Sequence, residues 1–234
     1  MSTNNPLTAK AIAKMIDHSL LQPDMTDDDI TRHCGIAREL DVATVCVRPY
    51  DVAFCRKLLE GSDVGISVVV GFPHPNSTTA TKVFEARQTM ADGATELDVV
   101  MAYGKARSGD WNFVEEDLQA VTEAAHAGNA IVKVILENYY LSRAEIVQSC
   151  QICEKVGADF VKTSTGYAAG GSLADDIRLM RSSCHPQVAI KAAGGIRTLD
   201  DFLEMMAAGS TRQGTRSTKE IYEEALKRES ENRL

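Results

Sequence analysis

Residues 131–164 read Ile131-Val132-Lys133-Val134-Ile135-Leu136-Glu137, a short linker, the segment Ser142–Val156, and then Gly157-Ala158-Asp159-Phe160-Val161-Lys162-Thr163-Ser164. The first run is β-branched and almost continuously apolar, as suits a strand covered on both faces. In Ser142–Val156 the apolar residues recur at helical spacing. Gly157 follows as a stop signal. The last run is short and apolar again. A strand, a helix and a strand on short loops predict two parallel strands with a crossover helix between them.

Outward from this unit the same alternation repeats. Strands are expected near Met15–Leu20, Ala43–Val47, Gly65–Gly71, Glu96–Val100, Ile131–Glu137, Asp159–Ser164, Val188–Ala192 and, most weakly marked, Thr211–Gly214. Helices are expected at Thr26–Leu40, Asp51–Leu59, Thr78–Asp92, Trp111–His126, Ser142–Val156, Leu173–Arg181, Leu199–Ala207 and Thr218–Glu229. Thr26-Asp27-Asp28-Asp29 places acids where a helix N-terminus favours them. Gly93, Gly128, Gly157 and Gly209 are expected to end helices as left-handed caps. Eight alternations predict an α/β protein, a single (β/α)8 TIM barrel, with residues 1–234 as one domain. The alternative is an open doubly wound sheet. That fold usually shows a glycine-rich nucleotide fingerprint after its first strand, and Ser19-Leu20-Leu21-Gln22-Pro23 is not one.

Composition narrows the function classes. The chain has 234 residues and a net charge of −8, which argues against nucleic acid as a main partner. No run is long and apolar enough to span a membrane. Met1-Ser2-Thr3-Asn4-Asn5-Pro6 lacks a basic n-region, so a secretory leader is not expected. The six scattered cysteines read as reduced thiols of a cytoplasmic protein. Cys150-Gln151-Ile152-Cys153 falls mid-helix without a second pair, so it reads as structural rather than metal-binding.

Lys162 and Lys191 interrupt apolar strand-like runs. A buried ammonium is costly; desolvation and a second cation nearby both lower its pKa. A neutral lysine is a nucleophile toward carbonyl carbon. Strands of a barrel lie about 4.8 Å apart, close enough for the two to interact. Barrel sites collect at the C-terminal strand ends, where Asp17, His18, Cys46, Arg48, Glu96, Asp98, Lys133 and Glu137 also fall. Asp98 is the best-placed carboxylate to move protons. It could equally be a fixed counter-ion. Two glycine turns, Ser164-Thr165-Gly166 through Gly170-Gly171-Ser172 and Ala193-Gly194-Gly195-Ile196-Arg197, follow the two lysines, and Gly214-Thr215-Arg216-Ser217 follows the eighth strand. Convergent amides there, with the dipole of the helix beginning near Thr198, would suit a phosphate.

Ile16-Asp17-His18-Ser19-Leu20-Leu21, Val45-Cys46-Val47-Arg48-Pro49, Val70-Gly71-Phe72-Pro73, Gly93–Val100, Lys133–Glu137, Asp159–Gly166 and Lys191–Arg197 resemble, in order, the motifs of deoxyribose-phosphate aldolases. The resemblance runs from about Ile12 to Ser217. It implies a class I aldolase on a TIM barrel that needs no metal or other cofactor. The implied reaction is reversible cleavage of 2-deoxy-D-ribose 5-phosphate to D-glyceraldehyde 3-phosphate and acetaldehyde. It implies Lys162 as the Schiff-base lysine, Lys191 as the lysine that depresses its pKa, and Asp98 as part of a proton relay through water. Asp17, Cys46 and Lys133 are implied as support. Thr165, Gly166, Gly194, Gly195, Gly214 and Ser217 are implied to hold the phosphate. The partners so implied are a small phosphorylated sugar and an aldehyde, with no nucleic acid, no membrane and a homodimer as the candidate assembly.

The chain departs from the family at Pro75, at Ala168-Ala169 and at Arg216, which stands where a serine is usual. Arg216 either adds to phosphate binding or points outward, and outward is the favoured reading. The end Glu231-Asn232-Arg233-Leu234 carries no tyrosine, so a proton donor on the tail is not expected. A silent phosphosugar-binding barrel is the competing class, and the presence of Asp98, Lys162 and Lys191 together speaks against it.

Overall fold

The computed structural model describes residues 7–234; residues 1–6, on which the expectation about a leader partly rested, lie outside the described residues. Eight strands, β1 (Ile16–Leu20), β2 (Thr44–Val47), β3 (Gly65–Val70), β4 (Glu96–Val100), β5 (Ile131–Ile135), β6 (Phe160–Lys162), β7 (Ala189–Ala193) and β8 (Arg212–Thr215), form one closed barrel in chain order. All neighbouring pairs are parallel, and β8 returns to β1. The expected (β/α)8 architecture is therefore the observed one, with helices following the strands at nearly the expected bounds.

Strand period two sorts the side chains. Val45, Val47, Val68, Val70, Leu97, Val99, Val132, Val134, Val161 and Ile190 point away from the barrel axis and are fully or almost fully buried in one core. They pack against helix residues such as Ile30, Leu118, Val121, Ile146, Ile177, Phe202 and Ile221. The alternate set points inward and holds the polar residues: Asp17, Ser67, Glu96, Asp98, Lys133, Lys162, Lys191 and Arg212. A small separate cluster of Leu21, Cys46 and Val69, with Phe72 against it, lies toward the C-terminal mouth.

Local chemistry explains the helix starts. Thr26 with Asp29, Ser142 with Glu145, and Thr198 with Asp201 each form a reciprocal capping box. Two short helices, Ala9–Ala13 and Tyr103–Arg107, were not expected, since five residues carry too little periodicity to read. β6 is shorter than its apolar run, because Thr163 turns its hydroxyl to the Ala193 carbonyl as the chain leaves the ladder. Gly128 is a correction: its φ of −94° is ordinary right-handed backbone, and the left-handed position falls on Asn129 (φ 59°). Gly93, Gly157 and Gly209 do take positive φ. Cys150 and Cys153 are buried in the helix Arg143–Lys155, and no metal-binding group is found among the described residues. Nor is any helix among them long and apolar enough to cross a membrane.

Candidate active site

Register brings the charged residues together. Lys162 lies beside Lys191, Asp98 beside Lys133, and Lys191 beside Arg212. Asp98 stands at the centre. Its Oδ2 is 2.6 Å from both Lys162 Nζ and Lys191 Nζ, and its Oδ1 is 2.8 Å from Lys133 Nζ. The Ser67 hydroxyl donates to the same Oδ1 at 2.9 Å. Asp17 forms a second centre, 2.5 Å from Lys191 Nζ, 3.2 Å from Lys133 Nζ and 2.7 Å from Arg212 Nη1, with the Thr44 hydroxyl donating at 2.8 Å. Glu96 closes the network on Lys133 at 2.6 Å and Arg212 at 2.9 Å.

Four cations thus share three carboxylates, and the sharing is unequal. Lys133 touches three carboxylates, Lys191 two and Lys162 only Asp98. Burial alone would lower all three amine pKa values. At Lys133 and Lys191 the carboxylates overcome burial and hold the ammonium above its usual range. At Lys162 burial prevails: Asp98 pulls upward, Lys191 pushes further down, and the amine is held below its ordinary value. Burial also pushes on Asp98 and Asp17, yet the surrounding cations keep both carboxyls below the usual carboxylate range. The Cys46 thiol, 4.0 Å from Asp98 Oδ2, is driven upward by burial and then by that carboxylate.

Above this floor opens a cavity of about 260 Å³. Lys162, Lys191, Asp17 and Cys46 reach it; Asp98 and Lys133 lie beneath. Thr165, Gly166, Gly194, Gly195, Gly214 and Ser217 all line it. Gly166, Gly194 and Gly195 have φ between 84° and 89°, which a side chain would strain. A Cβ on Gly171 would lie 2.6 Å from the Gly194 carbonyl oxygen, so the loops after β6 and β7 can touch only because both are bare. The Thr165 hydroxyl donates to Glu137, a buried residue at φ 58°, and accepts the Tyr167 amide at 3.1 Å. The Tyr167 hydroxyl in turn donates to the Leu21 carbonyl at 2.5 Å, linking the loops after β6 and β1.

The helix N-terminus near Thr198 is not the free dipole the sequence suggested. Asp201 accepts the amides of Arg197 and Thr198 at 3.0 and 2.9 Å. The helix Thr218–Ser230 has no side-chain cap at Ser217, and that end borders the cavity.

Arg212, Ser67, Thr44 and Tyr167 were missed as site residues. Period two would have pointed Ser67 inward with Val69, and Arg212 with Gly214. The polar composition of β8 marks that strand only weakly, and no local signal foretells the reach of Tyr167 to Leu21.

A parallel barrel with a buried, underpaired lysine at the floor of its cleft defines a lysine-bearing barrel enzyme of the aldolase class. Residues 11–222 match the model of the DeoC/LacD family aldolases, and the chain belongs to that family. It is 46% identical to a deoxyribose-phosphate aldolase of Clostridium novyi over 210 residues, covering 90% of this chain and 94% of the relative. It is 44% identical to that of Thermococcus gammatolerans, covering 92% and 96%. Among solved structures, the tetrameric deoxyribose phosphate aldolase of Aeropyrum pernix superposes with a TM-score of 0.87 at 28% identity, over 92% of this chain and 91% of the other.

Proposed function

We propose that the protein reversibly cleaves 2-deoxy-D-ribose 5-phosphate to D-glyceraldehyde 3-phosphate and acetaldehyde through a Schiff base on Lys162. The observation that carries the reading is the unequal pairing of the three buried lysines, which leaves Lys162 with a single carboxylate and a lowered pKa. Its neutral amine attacks C1 of the open-chain sugar, and loss of water gives an iminium. The iminium withdraws electrons, so the C2–C3 bond breaks as the C3 hydroxyl gives up its proton. Glyceraldehyde 3-phosphate departs, the enamine takes a proton at C2, and water releases acetaldehyde. Asp98 Oδ2, in contact with Lys162 and Lys191 alike, stays ionised at rest and relays protons to and from the carbinolamine and enamine only transiently, through water. Lys191 remains a cation on Asp17 and Asp98. Lys133 and Asp17 keep this array in place, and Cys46 contributes to the wall beside it.

Gly166, Gly194, Gly195, Gly214, Thr165 and the uncapped Ser217 end of the last helix form the phosphate grip in this reading, supported by their common cavity. A cytoplasmic setting suits the six buried free thiols, and one catalytic domain suits the family match. Borohydride reduction in the presence of acetaldehyde should leave a stable adduct on the peptide carrying Lys162, and Lys162→Met should abolish both adduct and turnover. An adduct mapping to Lys191 or Lys133, or full activity in Lys162→Met, would overturn the assignment.

A further inference from the structure

Arg216 is an exposed side chain between Gly214-Thr215 and Ser217. It lines two adjoining spaces: the cavity above Lys162 and a neighbouring groove of about 430 Å³ bordered also by Gln22, Arg32 and His33. Its charge is felt at the Tyr167 phenol on one side and the His33 imidazole on the other, although burial influences both groups more. The guanidinium therefore stands over the rim between them.

Most nearby cations are committed to carboxylates. Arg32 holds Asp29 at 2.8 Å, Arg48 holds Asp51 at 2.6 Å, and Arg212 holds Asp17 at 2.7 Å. Lys162 and Lys191 at the floor are tied to Asp98. Arg197, also on the rim, is the exception: Asp201 accepts its backbone amide, and its guanidinium, like that of Arg216, is in no ion pair among the described residues. Arg216 makes no ion pair among the described residues; of the two groove carboxylates, Asp29 is held by Arg32, and Asp24 forms no ion pair with Arg216. A guanidinium offers a planar fork that matches two phosphate oxygens. A free sugar presents only a hydroxyl there and gains nothing from the charge.

We propose that Arg216 is a specificity-determining residue, which closes over the phosphate of the bound sugar and sets the preference for the phosphorylated over the free substrate. This rests on the function proposed above. It reverses the outward reading of the sequence, because the side chain borders the cavity and is held in no ion pair among the described residues.

The test compares the parent protein with Arg216→Ser and Arg216→Lys. The quantity read is kcat/KM for 2-deoxyribose 5-phosphate divided by that for 2-deoxyribose. One charge-assisted contact on a solvent-screened rim predicts a fall in this ratio of about tenfold in Arg216→Ser, carried mainly by KM for the phosphoester. Arg216→Lys should keep part of the preference, having the charge without the fork. The rise of KM with ionic strength should flatten in Arg216→Ser. A ratio and a salt dependence that match the parent would overturn the proposal. Equilibrium binding of inorganic phosphate, measured on the same proteins, reads the contact independently of turnover. If the parent binds phosphate through Arg216 but cleaves no deoxyribose phosphate, the proposed reaction fails while the role of Arg216 stands. Equal phosphate binding in parent and Arg216→Ser refutes the role of Arg216 alone.

Discussion

Replacing Lys191 by methionine removes a cation of similar shape from the floor of the site. Lys162 Nζ and Lys191 Nζ each lie 2.6 Å from Asp98 Oδ2, so the nitrogens are within about 5 Å of one another. Two unit charges at that distance repel by about 3 kcal/mol at an effective dielectric constant of about 20. That energy corresponds to a change of roughly a hundredfold in the ratio of amine to ammonium. The sign follows from the geometry: without Lys191, Asp98 Oδ2 serves Lys162 alone, the ammonium of Lys162 is stabilised, and less neutral nucleophile is present at neutral pH. No carboxylate is orphaned, since Asp17 keeps Lys133 and Arg212, and Asp98 keeps Lys133 and Lys162. The variant should fold, lose on the order of a hundredfold in kcat/KM at pH 7, and recover activity as pH rises. The assay is the pH profile of kcat/KM for deoxyribose phosphate cleavage, with the borohydride trapping rate as a function of pH alongside. A trapping rate lowered equally at every pH, with the acid limb unmoved, would refute the electrostatic role of Lys191.

Two further predictions concern stability. Asp98→Asn leaves Lys162 without a carboxylate and deprives Lys133 and Lys191 of one each, so urea unfolding should show a loss of about 3–5 kcal/mol, whereas a loss below about 1 kcal/mol would show that Asp98 is not the counter-ion holding the array. His18 faces away from the barrel axis, bonded to Thr218 Oγ1 at 2.6 Å and His33 Nδ1 at 2.8 Å, and burial followed by the His33 charge pushes its pKa from 6.5 down to about 3. The unfolded chain therefore binds a proton below about pH 6.5 that the folded one refuses, and stability falls as pH drops through this window by up to about 1.4 kcal/mol per pH unit. His18→Gln should lose that slope between pH 6.5 and pH 5 in urea titrations; a slope equal to the parent's would mean that His18 is protonated in the native state.

Much of the architecture was legible because its causes are local. Val132, Val134, Val161 and Ile190 are apolar on every outward position, so strand and helix alternate visibly. The same periodicity turned Asp98, Lys133, Lys162 and Lys191 inward, and glycines marked the loops after β6 and β7. Where the local signal was thin, the reading was weak or parted from the structure. Thr211-Arg212-Gln213-Gly214 is too polar to mark a core strand strongly, yet the expected strand is there, with β1 and β7 as the partners that close the barrel. The helix after β7 seemed ready for a phosphate because its start follows Gly194-Gly195; Asp201, three residues past the Thr198 cap, accepts the Arg197 and Thr198 amides instead.

By itself the sequence determined a barrel of alternating strands and helices, with a set of lysines and an aspartate on its inner face. It could not say which lysine carries the least compensated charge. That order depends on Coulomb interactions across the barrel, between residues as far apart in the chain as Asp98 and Lys191, or Glu96 and Arg212. Only the closed structure brings three carboxylates and four cations within contact, and only there does Lys162 emerge with one carboxylate while Lys191 holds two. Burial makes a lysine unusual wherever a strand is buried; the count of carboxylates around each ammonium decides which one loses its proton.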